Sequence, residues 1–302
     1  MPRRPFDFLH LIRRCNRHDE SLYLPLTLQA HSQSKNEVVV GKIRKDWIQR
    51  LEPFQDVFDW SRIEAQVHLH PCYDTEQLRT AAIQRVAKAM KAEKWRDEAY
   101  GARRLDSTTE PWFRVDRSAS TFFGISQFGC HLNGFVRHSA HPHDLSIWLA
   151  VRDPSKTIDP GKLDSLVGGG LPWGVSPREN MLKECEEEAG FHRDQLAQDM
   201  VSTGVLTWVS DEPYGFKFNT MHVYDVALPP SWTPLNQDGE VASFKLWSVD
   251  EVLDALQTCP DDFKPDICHL LIDFFIRHGI LTPESCIDFV SLCSELHAQA
   301  PF

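Results

Sequence analysis

The clearest pattern along the chain is a repeat of large aliphatic residues at every second position between residues 145 and 151. The four positions are Leu145, Ile147, Leu149 and Val151. A period of two places these side chains on one face of an extended chain and predicts a β-strand. Similar segments separated by turn residues predict further strands at 201–209, 220–228 and 242–247.

A second spacing, close to the helical repeat, runs over residues 75–97 and predicts a long helix. Further helices are predicted from residue 249 and over 265–278, where a glycine follows the second one. The first hundred or so residues mix helical and strand patterns, whereas short strands dominate afterwards. We therefore predict two units, a small α+β domain at 1–115 and a larger domain with C-terminal helices at 116–302.

Three consecutive glycines at 168–170 precede a segment with strong helix signals. Ser176 followed by Pro177 is typical of a helix start, and Glu179 has the spacing of a capping box. Gly190 is the residue type that ends a helix. The sequence therefore predicts a glycine loop followed by one helix, in which Glu179 has a structural role.

Three carboxylates of this helix are predicted to share one face. Glu184, Glu187 and Glu188 fall within an arc of about 100° at the helical repeat. Like charges at this spacing destabilise a helix by roughly 0.2 to 0.5 kcal/mol per pair unless they are neutralised. Mg²⁺ prefers such oxygens and keeps positions open for phosphates. The face is either a solvated surface partly balanced by Lys183 or a metal site beside the glycine loop.

The charge of the chain narrows the choice of partners. Its 302 residues carry 32 Lys+Arg against 43 Asp+Glu, a formal net charge of −11. This balance argues against nucleic acid or an anionic membrane as the main partner. A small anionic ligand is still compatible, because a metal held by acidic residues reverses the potential inside a cleft.

The cysteines and the length of the apolar runs indicate where in the cell the protein is expected. The eight cysteines form no Cys-x-x-Cys pair and mostly lie in apolar stretches. This pattern predicts reduced thiols in a cytoplasmic protein. No apolar run approaches the roughly 18 residues that cross a bilayer, so no membrane partner is predicted.

The glycine loop and the acidic helix together resemble the Nudix box. That pattern reads Gly, five residues, Glu, seven residues, Arg-Glu, an apolar residue, any residue, Glu-Glu, any residue, Gly and an apolar residue. The corresponding residues here are Gly169, Val175, Lys183, Glu184, Cys185, Glu187, Glu188, Gly190 and Phe191. Val175 replaces the first Glu and Lys183 replaces the Arg. Because the family uses these two residues to brace the loop against the helix, losing both is less damaging than losing one.

Motifs outside the box resemble the thiamine-pyrophosphokinase-related branch of the Nudix superfamily. They are Pro-Gly-Lys-Leu-Asp at 160–164, Asp-Gly-Glu-Val at 238–241, Phe-Lys-Pro at 263–265 and Ile-Asp-Phe-Phe-Ile-Arg-His-Gly at 272–279. In that branch a small domain of unassigned role comes first, and the segments at 8–16 and 95–100 resemble it. The resemblance implies an α/β class protein, a Nudix α/β/α sandwich with a mixed sheet, preceded by a smaller α+β domain.

The same resemblance implies a diphosphatase that uses Mg²⁺ or Mn²⁺ and a small-molecule diphosphate. The implied substrates are thiamine diphosphate and, preferentially, its oxidised or damaged analogues, which are cleaved to the monophosphate and phosphate. Two alternatives stay open: a Nudix hydrolase of another nucleoside or sugar diphosphate, and a non-catalytic diphosphate-binding regulatory module. Isomerase chemistry is disfavoured, because Cys185 is predicted to face the core.

The resemblance also implies roles for individual residues. The carboxylates of Glu184, Glu187 and Glu188 and the carbonyl of Gly169 are the implied metal ligands. Glu184 and Glu240 are the candidates for orienting or deprotonating the attacking water. The candidate phosphate contacts, on the strand and loop before the glycines, are Arg152, Lys156 and Lys162.

Overall fold

The computed structural model describes residues 5–30, 36–90, 95–103, 110–237 and 239–300. The helices are α1 Leu9–Cys15, α2 Glu76–Met90, α3 Arg117–Ser120, α4 Pro177–Ala189, α5 Arg193–Asp199, α6 Val249–Thr258, α7 Pro265–Arg277 and α8 Phe289–Glu295. The strands are β1 Tyr23–Gln29, β2 Glu37–Arg44, β3 Val67–His68, β4 Ala99–Ala102, β5 Phe113–Asp116, β6 Ser126–Arg137, β7 Leu145–Arg152, β8 Leu163–Ser165, β9 Val167–Gly170, β10 Val201–Glu212, β11 Gly215–Ala227 and β12 Val241–Ser248.

A seven-stranded sheet forms the centre of the C-terminal part. Its strands follow the order β10-β11-β6-β7-β12, with β8 paired to β7 and β9 paired to β6. The β11 and β6 pair is parallel and the other pairs are antiparallel, so the sheet is mixed. Because β9 pairs Gly169 with Cys130 and Gly170 with Gly129, the three glycines belong to the sheet itself.

Helices cover both faces of this sheet. On one face, apolar residues of α1, α6, α7 and α8 pack against it in a single core. On the other face, α4 and α5 pack in a second core through residues such as Leu182, Cys185 and Leu196. This is an α/β/α arrangement, and the predicted fold class is confirmed. Cys185 is fully buried, as its predicted position toward the core requires.

A third core belongs to the N-terminal part of the chain. A three-stranded sheet in the order β2-β1-β3, the hairpin β4-β5 and helix α2 enclose it. This α+β unit packs beside the large sheet, and Tyr23 contacts Phe216 and Phe218 of β11 in a small apolar cluster. The position of the boundary, drawn at residue 115 from the sequence, stays a prediction.

The predicted strands and helices are present, with one error in length. Of the helix predicted over 75–97, the structure describes Glu76–Met90 as helical, residues 91–94 lie outside the described residues, and residues 95–97 are not helical. The φ angle of Asp97 is 56°, a left-handed conformation that cannot continue an α-helix. In the described part of the chain, no helix is long and apolar enough to cross a membrane.

Candidate active site

A cavity of about 750 Å³ opens between the N-terminal unit and the large sheet. Its volume is within the range of ordinary small-molecule sites. The walls come from β6, β9 and β11 of the sheet, from the acidic face of α4, and from the β4-β5 hairpin with α3. The glycine strand and the acidic helix therefore meet at a space large enough for an organic diphosphate.

Helix α4 begins and ends where its sequence signals predict. The Ser176 side chain accepts the Glu179 N–H at 3.2 Å, and Pro177 is the first helical residue. Gly190 ends the helix with a φ of 69°. Glu179 does not complete a capping box, because its carboxylate pairs with the Arg193 guanidinium. The pair joins α4 to α5, which is a structural role. The Asn180 side-chain amide donates to the Gly170 carbonyl at 3.0 Å and holds the helix start against the glycine strand.

Two carboxylates of α4 lie directly against the glycine strand. A Cβ atom on Gly169 would come within 2.5 Å of the Glu184 carboxyl carbon, so only glycine permits this contact. The Gly168 N–H donates a hydrogen bond to Glu188 Oε2 at 3.0 Å. The missing side chains of β9 thus allow Glu184 and Glu188 to reach the backbone.

These carboxylates are poorly hydrated. Glu188 is only 8% exposed, and burial raises the pKa of its carboxyl group to about 8, although the Gly168 N–H lowers it. Burial also raises the pKa of Glu184; Lys183 lowers it and Glu187 raises it further. Removing carboxylates from water without a counter-charge is unfavourable. The site therefore favours a cation beside these oxygens.

Lys183 supplies a positive charge at that place. Its Nζ lies 2.5 Å from Glu187 Oε2 and 3.6 Å from Glu184 Oε1. Among the described residues, no three Asp, Glu, His or Cys side chains converge closely enough to hold a metal ion. The donors are nevertheless all oxygens, as Mg²⁺ and Mn²⁺ prefer. The residues fit such an ion once Glu187, which is 47% exposed, turns from Lys183 toward its neighbours.

The other predicted site residues differ in how readily they could contact a substrate in the cavity. Glu240 and Lys156 both line the cavity and form an ion pair. Arg152 also lines it, but the guanidinium is held by Asp164 at 2.7 Å and by backbone carbonyls of the loop that follows β7. Lys162 is not part of the cavity wall and pairs with Asp159 at 2.9 Å. Of the three predicted phosphate contacts, Lys156 is the best placed.

The sequence did not predict that the N-terminal unit contributes to this site. A Cβ atom on Gly170 would lie 2.3 Å from the Tyr100 hydroxyl and 2.8 Å from the Arg117 guanidinium. Arg117 donates to Glu98 at 2.9 Å, and these three residues line the cavity. Burial lowers the pKa of Arg117, but Tyr100 and Glu98 outweigh it and raise the value. The available signal was the motif at 95–100, which includes two of these residues.

Comparison with known proteins identifies the two units separately. A domain of unknown function (DUF4743) matches residues 7–127 and a NUDIX domain matches residues 140–267. Nudix hydrolase 24, chloroplastic, of Arabidopsis thaliana is 36% identical over 286 residues, covering 92% of this chain and 74% of that protein. Nudix hydrolase 20, chloroplastic, of the same plant is 35% identical over 293 residues with the same coverage. A crystal structure of DR0079 from Deinococcus radiodurans matches 48% of this chain and 80% of its own at 22% identity, with a TM-score of 0.37.

The two plant relatives correct the predicted location. Both carry a chloroplastic designation and not a cytoplasmic one. The prediction of a cytoplasmic protein was therefore wrong. All eight cysteines are free in the structure, and free thiols do not specify the compartment.

The similarity to these relatives is not limited to the acidic helix. It extends along 92% of the chain and includes both the N-terminal unit and the large sheet. The sequence identity over this length is 36% and 35%. The chain therefore belongs to the Nudix hydrolase family and is a hydrolase with the α/β fold of that family.

Proposed function

We propose that this hydrolase is a divalent-metal-dependent diphosphatase acting on thiamine diphosphate and, preferentially, on its oxidised or damaged analogues. The products are the monophosphate and inorganic phosphate. The observation that carries the reaction class is the contact of Glu184 and Glu188 with the glycine strand at the wall of the cavity. The substrate assignment rests on the branch motifs at 160–164, 238–241 and 263–279.

The metal ligands in this proposal are Glu184, Glu187, Glu188 and the Gly169 carbonyl. A bound Mg²⁺ or Mn²⁺ would supply positive charge for the diphosphate oxygens and would activate a water for attack. The Gly168 N–H keeps the Glu188 carboxylate oriented, and the lack of a side chain on Gly169 leaves room for Glu184. The hydrogen bond from Gly168 thus orients one oxygen donor before any ligand arrives, which reduces the ordering needed on binding.

Lys156 and Glu240 are proposed to act on the substrate and the water. Glu240 is 51% exposed and pairs with Lys156 at the cavity wall. A phosphate that binds the Lys156 ammonium competes with Glu240 for it, and Glu240 is the proposed proton acceptor for the attacking water. Glu184 is the alternative proton acceptor, because it contacts the glycine strand and burial raises its pKa.

The test is a substrate panel with the full chain and either Mg²⁺ or Mn²⁺. The panel contains oxidised thiamine diphosphate, thiamine diphosphate, ADP-ribose, NADH and nucleoside triphosphates. The proposal expects the highest kcat/KM for oxidised thiamine diphosphate, with release of the monophosphate and phosphate. Equal or better turnover of a nucleotide or sugar diphosphate would refute the substrate assignment and leave the reaction class intact.

The same preparation tests the non-catalytic alternative. Calorimetry measures binding of the diphosphates, and product formation is followed over hours with each metal. Tight binding without any product would favour a regulatory module and contradict the proposed hydrolysis. Product formation that requires the metal would exclude that alternative.

A further inference from the structure

The wall of the cavity that faces α7 has a different chemistry from the acidic wall on α4. Lys217 and Asn219 of β11 and Asp266 of α7 line it, together with Trp208 and Met221. Lys217, Asn219 and Met221 alternate along β11 and therefore share one face of the sheet. Trp208 and Met221 pack in the core on the α7 side, whereas α4 packs on the other face. The cavity thus has an acidic wall and a separate mixed polar wall.

Three polar groups on this second wall have no partner in the described part of the chain. Asn219 Nδ2 and Asp266 Oδ1 are buried without a hydrogen bond. The Lys217 ammonium forms no ion pair or hydrogen bond with a described residue, and burial lowers its pKa. Asn219 Nδ2 and Asp266 Oδ1 each cost free energy unless a ligand or water completes them, and the half-buried Lys217 ammonium adds a second donor. Two donors and one acceptor are therefore available to a ligand.

The arrangement requires a ligand that donates a hydrogen bond as well as accepting them. Asp266 lines the same wall as Lys217 and interacts with it electrostatically. Its other oxygen, Oδ2, lies 3.0 Å from Lys264 Nζ, which leaves Oδ1 as a free acceptor. A fully ionised phosphate at Lys217 would offer no donor to this oxygen. A neutral group that offers both a donor and an acceptor satisfies all three positions.

We propose that Lys217, Asn219 and Asp266 form a subsite for a planar nitrogen heterocycle that carries a hydrogen-bond donor beside an acceptor on one edge. Asp266 accepts from the donor of the ring, Lys217 and Asn219 donate to its acceptor, and Trp208 and Met221 provide the apolar surroundings. The inference rests on the proposed function, in which the pyrimidine ring of the thiamine analogue is this heterocycle. The ring binds at the α7 wall while its diphosphate binds at the α4 wall.

The test compares Lys217→Met with a control, Lys245→Met. Lys245 lies on β12 of the same sheet with an exposed side chain. Two substrates are used with Mg²⁺: oxidised thiamine diphosphate and methyl diphosphate, which lacks the ring. We expect Lys217→Met to raise KM for the first substrate by about 10- to 100-fold, the effect of removing a charged hydrogen-bond donor. The KM for methyl diphosphate and both KM values of the control stay within about twofold.

Stability distinguishes binding from a structural role. Because the Lys217 ammonium has no partner among the described residues, its removal is expected to leave Tm unchanged or higher. A second variant, Asn219→Ala, is expected to weaken binding of the same substrate and leave methyl diphosphate unaffected. Equal KM changes for both substrates, or no change for the ring-bearing one in either variant, would overturn the subsite.

A binding measurement tests the subsite even if the proposed hydrolysis is wrong. If the wild-type chain hydrolyses neither diphosphate, calorimetry with phosphate-free thiamine and oxidised thiamine still tests the subsite. Weaker binding of either compound to Lys217→Met than to wild type and Lys245→Met supports it. Equal or absent binding in all three proteins contradicts it.

Discussion

Replacing Glu188 by Gln removes one charge from the site and keeps most of the geometry. The glutamine oxygen can still accept the Gly168 N–H that Glu188 Oε2 accepts at 3.0 Å. If Glu188 holds the metal, kcat/KM is expected to fall by about 10² to 10⁴, or roughly 3 to 5 kcal/mol of transition-state stabilisation. Without metal the variant is expected to be more stable, because Glu188 is 8% exposed and its carboxylate is costly to bury. A gain of about 1 kcal/mol corresponds to a rise in Tm of roughly 2 °C.

Two other glutamates of α4 are matched controls. Glu186 is partly exposed, pairs with Arg193 at 3.1 Å and does not line the cavity. Its replacement by Gln is expected to leave kcat/KM within about threefold. Glu179 also pairs with Arg193, so Glu179→Gln is expected to cost at most about 1 kcal/mol of stability and little activity. All three variants keep the length of the side chain, which isolates the effect of charge and position.

The assay combines phosphate release with thermal unfolding in the presence and absence of Mg²⁺. Wild type is expected to gain Tm with the metal, and Glu188→Gln to gain much less. If Glu188→Gln and Glu186→Gln both changed turnover by similar small factors, the acidic face would be an ordinary solvated surface. The metal-binding interpretation of α4 would then be refuted.

Three further changes test other parts of the structure. Gly169→Ala is expected to lower kcat by at least about tenfold at nearly unchanged Tm, because its Cβ displaces the Glu184 carboxylate; unchanged kinetics would contradict the contact. Arg117→Gln is expected to raise KM by about tenfold, measured by steady-state kinetics, if the N-terminal unit completes the cavity. His269→Leu is expected to reduce acid sensitivity in urea unfolding. Burial lowers the pKa of His269 from 6.5 to about 4. The unfolded state therefore binds more protons than the folded state as pH falls, and the free energy of unfolding of wild type decreases by about 3 kcal/mol by pH 4.

The sequence was sufficient for the elements that depend on local signals. The start of α4 follows from Ser176 and Pro177, and its end from Gly190. The alternation over 145–151 predicts β7, and its apolar side chains reach the core on the α7 side. The arc of carboxylates is equally local, because helix geometry alone places Glu184 and Glu188 on one face.

Contacts between distant segments could not be derived from these signals. Tyr100 and Gly170 are 70 positions apart in sequence, and nothing local indicates that the hydroxyl lies against the glycine strand. The sequence also does not show whether a cationic side chain is free to bind a phosphate. Arg152 has the right position for a phosphate contact, yet Asp164 and backbone carbonyls occupy its guanidinium. Pairing in three dimensions decides which cations remain available to a ligand.

The two departures from the Nudix pattern are compatible with each other in the structure. Val175 is 40% exposed at the cavity wall and offers no carboxylate to brace a cation on the helix. Lys183 instead pairs with Glu187 and Glu184. The lysine charge is therefore balanced although position 175 has no glutamate. A lysine on a flexible stem exchanges its partner more readily than an arginine, whose planar fork binds carboxylates at two points. A divalent ion can therefore displace Lys183 from Glu187 without breaking a bidentate pair. The substitutions at 175 and 183 therefore do not argue for a loss of catalysis. Glu184 and Glu187 are present, and a metal ion can take the place of the Lys183 ammonium beside them.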